Sequence, residues 1–219
     1  ALVGDGPLDA WDGRLEFTAT DLVSLAADVR LRGEDGRRLE VDGRVDWRQQ
    51  PPELIPIILR PAVVGGVAFA AAVDFSDGGP ITLEKMALQA EGLRVAARGT
   101  LDPTHDQLDV TVNADLAAKA LARDSMGGFS FQSAQAQVAA GGSLSRPQLH
   151  GEGVVDGMTG SDLTGGKLAW TASVLPVADE SGDQQLRFTA TAANVVASDA
   201  NLQSLVGSKP DIAVAVRLN

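Results

Sequence analysis

The sequence predicts an all-β protein built as a long, mainly antiparallel, amphipathic sheet. Apolar and polar residues alternate strictly through most of the chain, which is the period of a half-buried strand. Turn-forming clusters of Gly, Asp, Ser and Pro separate these runs at intervals of roughly 10 to 20 residues. Aromatic residues make up only 4% of the 219 residues, whereas glycines number 24, and this balance suits a thin, elongated sheet.

Each alternating run has one apolar face and one face of charged residues and threonines. This pattern is typical of an antiparallel sheet that is solvated on one side. Runs of this kind occur from the first fifth of the chain to its end. The clearest examples are Leu39, Val41, Val45 and Trp47; Leu93, Val95 and Ala97; Leu108, Val110 and Val112; Leu186, Phe188 and Ala190; and Ile212, Val214 and Val216.

The alternation changes phase inside two predicted strands, near Glu84-Lys85 and near Gln132-Ser133. A one-residue slip would turn every later side chain to the wrong face. Each change of phase therefore predicts a β-bulge or a bend, and bulges curl a sheet.

Few segments favour helix. Good helix formers predict a short helix or turn at Ala114–Arg123 and a second one at Asn201–Val206. Three prolines between residues 51 and 56 exclude a central strand or helix interior, so we interpret residues 48–63 as a crossover into a strand from Val67 to Phe75. The glycine-rich run at 157–161 is interpreted as a loop. The chain is otherwise expected to be one elongated β-domain, residues 1–219, cut from a longer protein.

Composition excludes several classes of function. The formal net charge of −11 repels phosphate backbones, which argues against a nucleic-acid partner and against docking on anionic headgroups. The chain has no cysteine, so it folds without disulfides or thiolate metal sites. No run of 18 apolar residues is present, so no segment is predicted to cross a membrane as a helix.

Signals for catalysis are weak, and we expect no enzyme activity, cofactor or metal. His105 lies among Asp102, Asp106 and Asp109, a set that could bind a metal but more often forms a solvated hairpin tip. His150 comes after Leu149 on a predicted strand and is predicted to face solvent. The sequence has no nucleophile elbow, phosphate loop or dinucleotide fingerprint. The three tryptophans are interpreted as packing residues, with sugar stacking as an alternative.

Several glycine-rich strand pairs resemble a known family. The run GGSLSRPQLHG at 141–151 is similar to the G-x-L-x-x-P-x-L-x-G strand pairs of TamB, in the AsmA-like group of bacterial envelope proteins. The segments VVDG at 154–157 and GGKL at 165–168 continue that rhythm. The stretch 78–101 and the segment 109–116 also resemble it. The resemblance extends along the whole chain and rests on Gly, Leu and Pro spacing, without a catalytic signature.

The resemblance implies a sheet curled into a taco- or trough-shaped groove with an apolar interior. It also implies a periplasmic location in a Gram-negative bacterium, with the full-length protein anchored in the inner membrane. The implied role is to move phospholipid between the inner and outer membranes, to assist outer-membrane protein assembly, or both. The implied partners are phospholipid acyl chains or nascent outer-membrane β-strands, together with a TamA-like outer-membrane barrel.

The apolar residues of the predicted strands are the candidate groove-lining set, for contact with lipid or with an incoming strand. They are Val67, Phe69, Val73, Phe75, Leu88, Leu93, Val95, Leu101, Leu108, Val110, Val112, Phe129, Phe131, Val138, Leu168, Trp170, Val174, Leu186 and Phe188.

Other interpretations stay open at the level of sequence. An apolar sheet face must be covered by helices, by a second sheet or by a ligand, and a closed sandwich is the commonest solution. An extracellular β-solenoid adhesin or binding module would use its outer surface instead. A carbohydrate-active β-helix enzyme would need two positioned carboxylates, and nothing among the 29 acidic residues singles out such a pair.

Overall fold

A computed structural model describes residues 1–7, 9–19, 22–33, 37–47, 59–75, 78–117, 129–160, 162–176 and 184–218. The described strands form one open, curled, antiparallel sheet, which confirms the predicted all-β class. They run in sequence as β1 Leu2–Asp5, β2 Ala10–Ala19, β3 Val23–Arg32, β4 Arg38–Trp47, β5 Val67–Phe75, β6 Ile81–Ala90, β7 Leu93–Asp102, β8 Gln107–Ala117, β9 Ser133–Ser143, β10 Pro147–Thr159, β11 Leu163–Pro176, β12 Gln184–Ala193, β13 Val196–Ala197 and β14 Asp211–Leu218.

The sheet is an uninterrupted meander. From β1 to β12, each strand pairs with the next strand in sequence. β14 pairs with β12 and is the last strand in the order, and the short β13 pairs with β11. The described residues include two helices, α1 at Arg60–Val63 and α2 at Ala200–Val206. Asp199 caps α2 by accepting hydrogen bonds from the backbone N–H groups of Asn201 and Leu202. The predicted helix at Asn201–Val206 is therefore confirmed.

Cross-strand register shows that one face of the sheet is apolar from edge to edge. Residues directly opposite each other in neighbouring strands share a face, so one row can be followed through all the pairings. The row that crosses thirteen strands contains only apolar residues and glycine. It is Leu2, Leu15, Ala27, Gly43, Phe69, Leu88, Val95, Ala114, Ala136, Gly153, Trp170, Ala190 and Ile212. We call the side that carries this row the apolar face and the opposite side the polar face.

The two predicted changes of phase both correspond to irregularities. In the β5–β6 pairing the register shifts between Ala72 and Val73, because Ala72 lies opposite Lys85 whereas Val73 lies opposite Leu83. Glu84 is thus the extra residue of a bulge, which keeps Leu83 and Met86 on the same face. At the second position Gln132 forms a bend just before β9 begins. The bulge-or-bend prediction is confirmed at both places.

Glycines on the apolar face make room for the large rings. A Cβ atom on Gly43 would lie 2.6 Å from the Phe69 ring, and one on Gly13 would lie 2.0 Å from the Trp11 ring. Trp170 lies in the same way over Gly151 and Gly153. The rings therefore lie flat along the sheet and fill the positions where neighbouring strands lack a side chain.

The helix predicted at Ala114–Arg123 is wrong over its first four residues. Ala114 to Ala117 belong to β8, where they pair with β7 on one side and β9 on the other. Two flanking ladders outweigh the few tenths of a kcal/mol per residue by which alanine favours helix. Residues 118–123 lie outside the described residues.

One other sequence interpretation needs correction. The sequence predicts a loop at 157–161, but Gly157 to Thr159 form the end of β10, with Gly157 at a φ of +64°. Residues 48–58 of the segment interpreted as a crossover, 48–63, lie outside the described residues. The strands on either side of it, β4 and β5, are direct antiparallel neighbours in the sheet, and the strand from Val67 to Phe75 is confirmed.

The described strands do not close a core. The accessible surface of the chain is 13543 Å², whereas a compact monomer of this mass exposes roughly 9,500 Å². Only six apolar residues of the described chain are buried, and four of them are alanines. The closed sandwich considered from the sequence is therefore not the architecture.

Candidate functional site

The structure brings most of the predicted lining residues onto the apolar face. Every member of that set except Phe129 and Phe131 lies in a strand and in register with the apolar row. Phe129 and Phe131 lie ahead of β9, where only Ser130 makes an isolated bridge to Thr159. These two phenylalanines are therefore outside the regular sheet.

The apolar face is half-exposed over most of its area. The strand members of the predicted set are half-buried by their neighbours in the sheet, and Phe75 and Val138 are exposed. Towards the β14 edge the exposure rises, with Ile212 at 56% and Val214 at 48%. Contiguous exposed apolar surface on this scale is unusual for a monomer and marks an interaction site.

Helix α1 covers one margin of the apolar face. Ala62 is 0% exposed and Val63 is 6% exposed. Both pack at the margin of the sheet where β4, β6 and β8 end and β5 and β7 begin. The carbonyl of Ala62 also accepts a hydrogen bond of 3.1 Å from the Glu91 N–H. The partly buried residues beneath the helix are Trp47, Val67, Ala90, Leu93 and Leu116.

This cover was not predicted from the sequence. Two members of the predicted lining set, Val67 and Leu93, pack beneath α1 and are therefore not open to a ligand. The only sequence signal was Pro61, which suits the first turn of a helix. The rest of the apolar face has no such cover among the described residues.

The polar face carries a depression in the sheet surface. A shallow depression of about 620 Å³ lies across β8 to β12. Its walls include amide, hydroxyl and carboxylate side chains, namely those of Asn113, Gln135, Gln137, Glu152, Thr171, Thr189 and Thr191. Thr171 and Thr189 are hydrogen-bonded to each other at 2.6 Å between their hydroxyl oxygens. No pattern in the sequence predicts this surface.

Arginine and carboxylate side chains form a network of ion pairs on the polar face of β2 to β6. Arg38 contacts Glu40 at 2.8 Å, Asp74 at 3.4 Å and Glu84 at 2.6 Å. The hydrogen bond from Arg38 lowers the pKa of Glu84, whereas the hydrogen bond with Glu84, together with desolvation, raises the pKa of Asp74. Glu84, the bulge residue of β6, thus contacts Arg38 of β4 across the intervening strand β5.

The acidic turn around His105 is a hairpin tip. Asp102 accepts hydrogen bonds from the backbone N–H groups of Thr104 and His105, each at 3.0 Å, and contacts His105 Nδ1 at 2.7 Å. The His105 contact lowers the pKa of Asp102. Asp106 instead reaches the neighbouring turn, where it accepts from the Ser145 N–H at 3.1 Å and from the Ser143 hydroxyl.

These carboxylates therefore hold turns together. Across the part of the chain that the structure describes, no group of three His, Cys, Asp or Glu residues is placed to hold a metal ion. His150 is exposed on β10, as predicted. Trp11, Trp47 and Trp170 all pack on the apolar face, which agrees with their interpretation as packing residues.

Comparison of the chain with protein-family models, with curated proteins and with solved structures finds no match. Among the described residues, neither helix is long and apolar enough to cross a bilayer.

Proposed function

We propose that the chain is a non-catalytic conduit or scaffold that holds elongated apolar cargo against its apolar face. The cargo is a phospholipid acyl chain or an incoming β-strand of a nascent outer-membrane protein. In this proposal the sheet curls around the cargo as a trough with the apolar face inside.

One observation carries the proposal: the apolar row runs through thirteen strands without a polar residue. Twelve strand spacings of ~4.8 Å make this path about 58 Å long. A storage pocket needs a polar end to position a headgroup, whereas a uniform path offers no stopping point. The pattern therefore favours passage over storage.

The energy of acyl-chain burial is large enough to support binding. Each buried methylene contributes roughly 0.8 kcal/mol, so a chain of ordinary length gains on the order of 10 kcal/mol before the cost of its immobilisation. The net charge of −11 disfavours anionic headgroups, so the cargo binds through its tails.

The resemblance of the 141–151 run and its neighbours to TamB-like proteins supports the cellular setting. In that setting the chain is part of a periplasmic protein that is anchored in the inner membrane. It delivers phospholipid or assists outer-membrane protein assembly together with a TamA-like barrel. The strand pairings are antiparallel throughout, whereas a carbohydrate-active β-helix stacks parallel strands, so the architecture does not favour that alternative.

Native mass spectrometry of the purified chain, with lipid extraction, tests the proposal. Val110→Arg places a charge on the apolar face, and Thr111→Arg places the same charge one residue away on the polar face. We expect bound phospholipid on the wild type and on Thr111→Arg, and its loss from Val110→Arg. Far-UV circular dichroism and thermal unfolding verify that both variants fold.

Equal lipid occupancy in the two folded variants would contradict the proposal. The proposal would also be contradicted if the wild type bound neither kind of cargo. That outcome is no lipid on the wild type after incubation with phospholipid vesicles and no binding of a peptide with alternating apolar residues. That result would direct attention to the polar depression, where a binding module would act through Gln137 and Glu152.

A further inference from the structure

The polar side chains that line the depression across β8 to β12 share one kind of hydrogen-bonding chemistry. Three of them are amides and three are threonine hydroxyls, and each of these groups both donates and accepts hydrogen bonds. The other two are the carboxylates of Asp115 and Glu152, which accept. Among the described residues that line the depression there is no lysine, arginine or histidine. Its volume of about 620 Å³ lies in the range of ligand-binding sites.

Most of this hydrogen-bonding capacity is not used within the protein. Thr171 and Thr189 bond to each other. The other polar lining side chains are exposed and form no hydrogen bond or ion pair within the part of the chain that the structure describes. They are Asn113, Asp115, Gln135, Gln137, Glu152 and Thr191. A ligand that carries its own hydroxyl groups can replace the water that hydrates these side chains.

Two apolar side chains interrupt the polar pattern at the centre of the depression. Val154 of β10 and Ala169 of β11 lie directly opposite each other on the polar face. Their neighbours on this face, either across the strand pairing or two residues along the same strand, are polar. These neighbours are Gln135, Glu152, Thr171 and Thr191. The depression therefore has a small apolar floor with hydrogen-bonding groups at its margin.

This combination fits the surface of a sugar ring. A pyranose presents C–H groups on its faces and hydroxyl groups around its rim, and each hydroxyl both donates and accepts. The apolar floor can pack against the C–H groups, while the amides and carboxylates bond the hydroxyls. An anionic ligand is disfavoured, because the lining has two carboxylates and no cation to oppose its charge. A β-strand of another protein is disfavoured, because β8 to β12 are all paired on both sides.

We propose that the polar depression across β8 to β12 binds a neutral oligosaccharide, with sugar rings packed on Val154 and Ala169. The five strands are separated by four spacings of ~4.8 Å, so the site is about 19 Å across. That width accommodates a short chain of sugar rings. The site lies on the side of the sheet opposite the apolar face, so the inference does not depend on what the apolar face binds.

An array of neutral oligosaccharides of glucose, galactose, mannose and N-acetylglucosamine tests the inference, with calorimetric titration of each member that binds. Ala169→Arg fills the depression, and Ala26→Arg is its matched control. Both alanines are exposed on the polar face, and Ala26 lies on β3, outside the depression. We expect the wild type and Ala26→Arg to bind the same oligosaccharide and Ala169→Arg to lose it. Far-UV circular dichroism verifies that both variants fold.

A pair of amide variants measures the contribution of one side chain at the margin. Gln137→Ala should weaken binding about fivefold, because it removes one hydrogen-bonding group. Gln89→Ala should leave the affinity unchanged, since Gln89 is an exposed amide on the polar face of β6 and does not line the depression. Val110→Arg, on the apolar face, should also bind like the wild type. Failure of this inference and failure of the proposed conduit are therefore distinguishable.

Three results would overturn the inference. They are no binding of any neutral oligosaccharide on the array, equal binding by Ala169→Arg and Ala26→Arg, and tighter binding of acidic than of neutral oligosaccharides. Retention on the matching insoluble polysaccharide would support the inference with an internal stretch of a polymer as the ligand. Binding of the soluble oligosaccharide alone would support it with a free sugar chain or a chain end.

Discussion

At the scale of single residues, glycine decides where the aromatic rings can lie. Gly151 and Gly153 are on β10 directly beneath Trp170, and Gly43 is beneath Phe69. A Cβ atom at Gly153 would lie 2.5 Å from the Gln135 carbonyl oxygen and 2.7 Å from the Trp170 ring. The high glycine content is therefore part of how a thin sheet accommodates its few aromatic side chains.

Gly153→Ala should destabilise the sheet by about 1 to 3 kcal/mol, because the backbone oxygen of Gln135 has no freedom to move aside. The matched control is Gly141→Ala, where the nearest atom, the Leu108 carbonyl oxygen, lies at an ordinary 3.7 Å. Urea unfolding measures both. Equal midpoints for Gly153→Ala and the wild type would show that the ring and the strand can shift freely.

Asp106 should make the stability of the hairpin tip depend on pH. The Ser143 hydroxyl, by donating to its carboxylate, lowers the pKa of Asp106. A depressed pKa contributes stability above the unfolded value of about 3.9, and that stability is lost as the pH falls through the folded value. Asp106→Asn, which tolerates the φ of 52°, should therefore melt below the wild type at neutral pH, and the difference should shrink in acid. A difference independent of pH would contradict this.

At the scale of elements, α1 is a cover attached to the sheet by few residues. Its four residues contribute two buried side chains, and the sheet beneath it supplies Trp47, Val67 and Leu93. Val63 is 6% exposed and its neighbour Val64 is 55% exposed, so the two valines form a natural pair for comparison.

Val63→Asp should detach α1 from the apolar face, because a carboxylate there would be buried without a partner. Val64→Asp should leave it attached. Since Trp47 lies under the helix, we expect a red shift of its emission and increased binding of an apolar dye only in Val63→Asp. Identical spectra for the two variants would show that α1 does not cover the face.

The elements could be predicted from sequence where alternation was strong. The strands around Val41, Val110, Phe188 and Val214 are confirmed, and so is the Glu84 bulge, because a change of phase has few physical causes. Prediction failed where local propensity and pairing disagree. Ala114 to Ala117 have helix-forming residues, but their partners in β7 and β9 are distant in sequence.

At the scale of the whole molecule, alternation predicts an apolar face but not what covers it. The strand members of the candidate set fall on one side of the sheet because the side-chain period is two and the register is continuous. Whether that side meets a second sheet, a helix or solvent depends on long-range packing that the pattern does not contain. The α1 cover and the polar depression across β8 to β12 therefore needed the structure.

Openness of the sheet has an energetic consequence. A sheet with no second layer leaves its apolar residues half-exposed, so each strand is stabilised mainly by its ladder hydrogen bonds and its cross-strand side-chain pairs. Bound cargo would add burial along the whole row and would stabilise the folded chain by mass action. This stabilisation requires that acyl chains contact the apolar face itself.

The most direct test is quenching of Trp170 by brominated acyl chains. Tryptophan is limited to three positions and tyrosine is absent, so Trp11→Phe with Trp47→Phe leaves a single emitter on the apolar face. Phosphatidylcholine with brominated tails should quench that emission strongly, whereas the same lipid without bromine should not, and Val110→Arg should reduce the quenching. Equal emission with both lipids would contradict the claim that this face holds lipid.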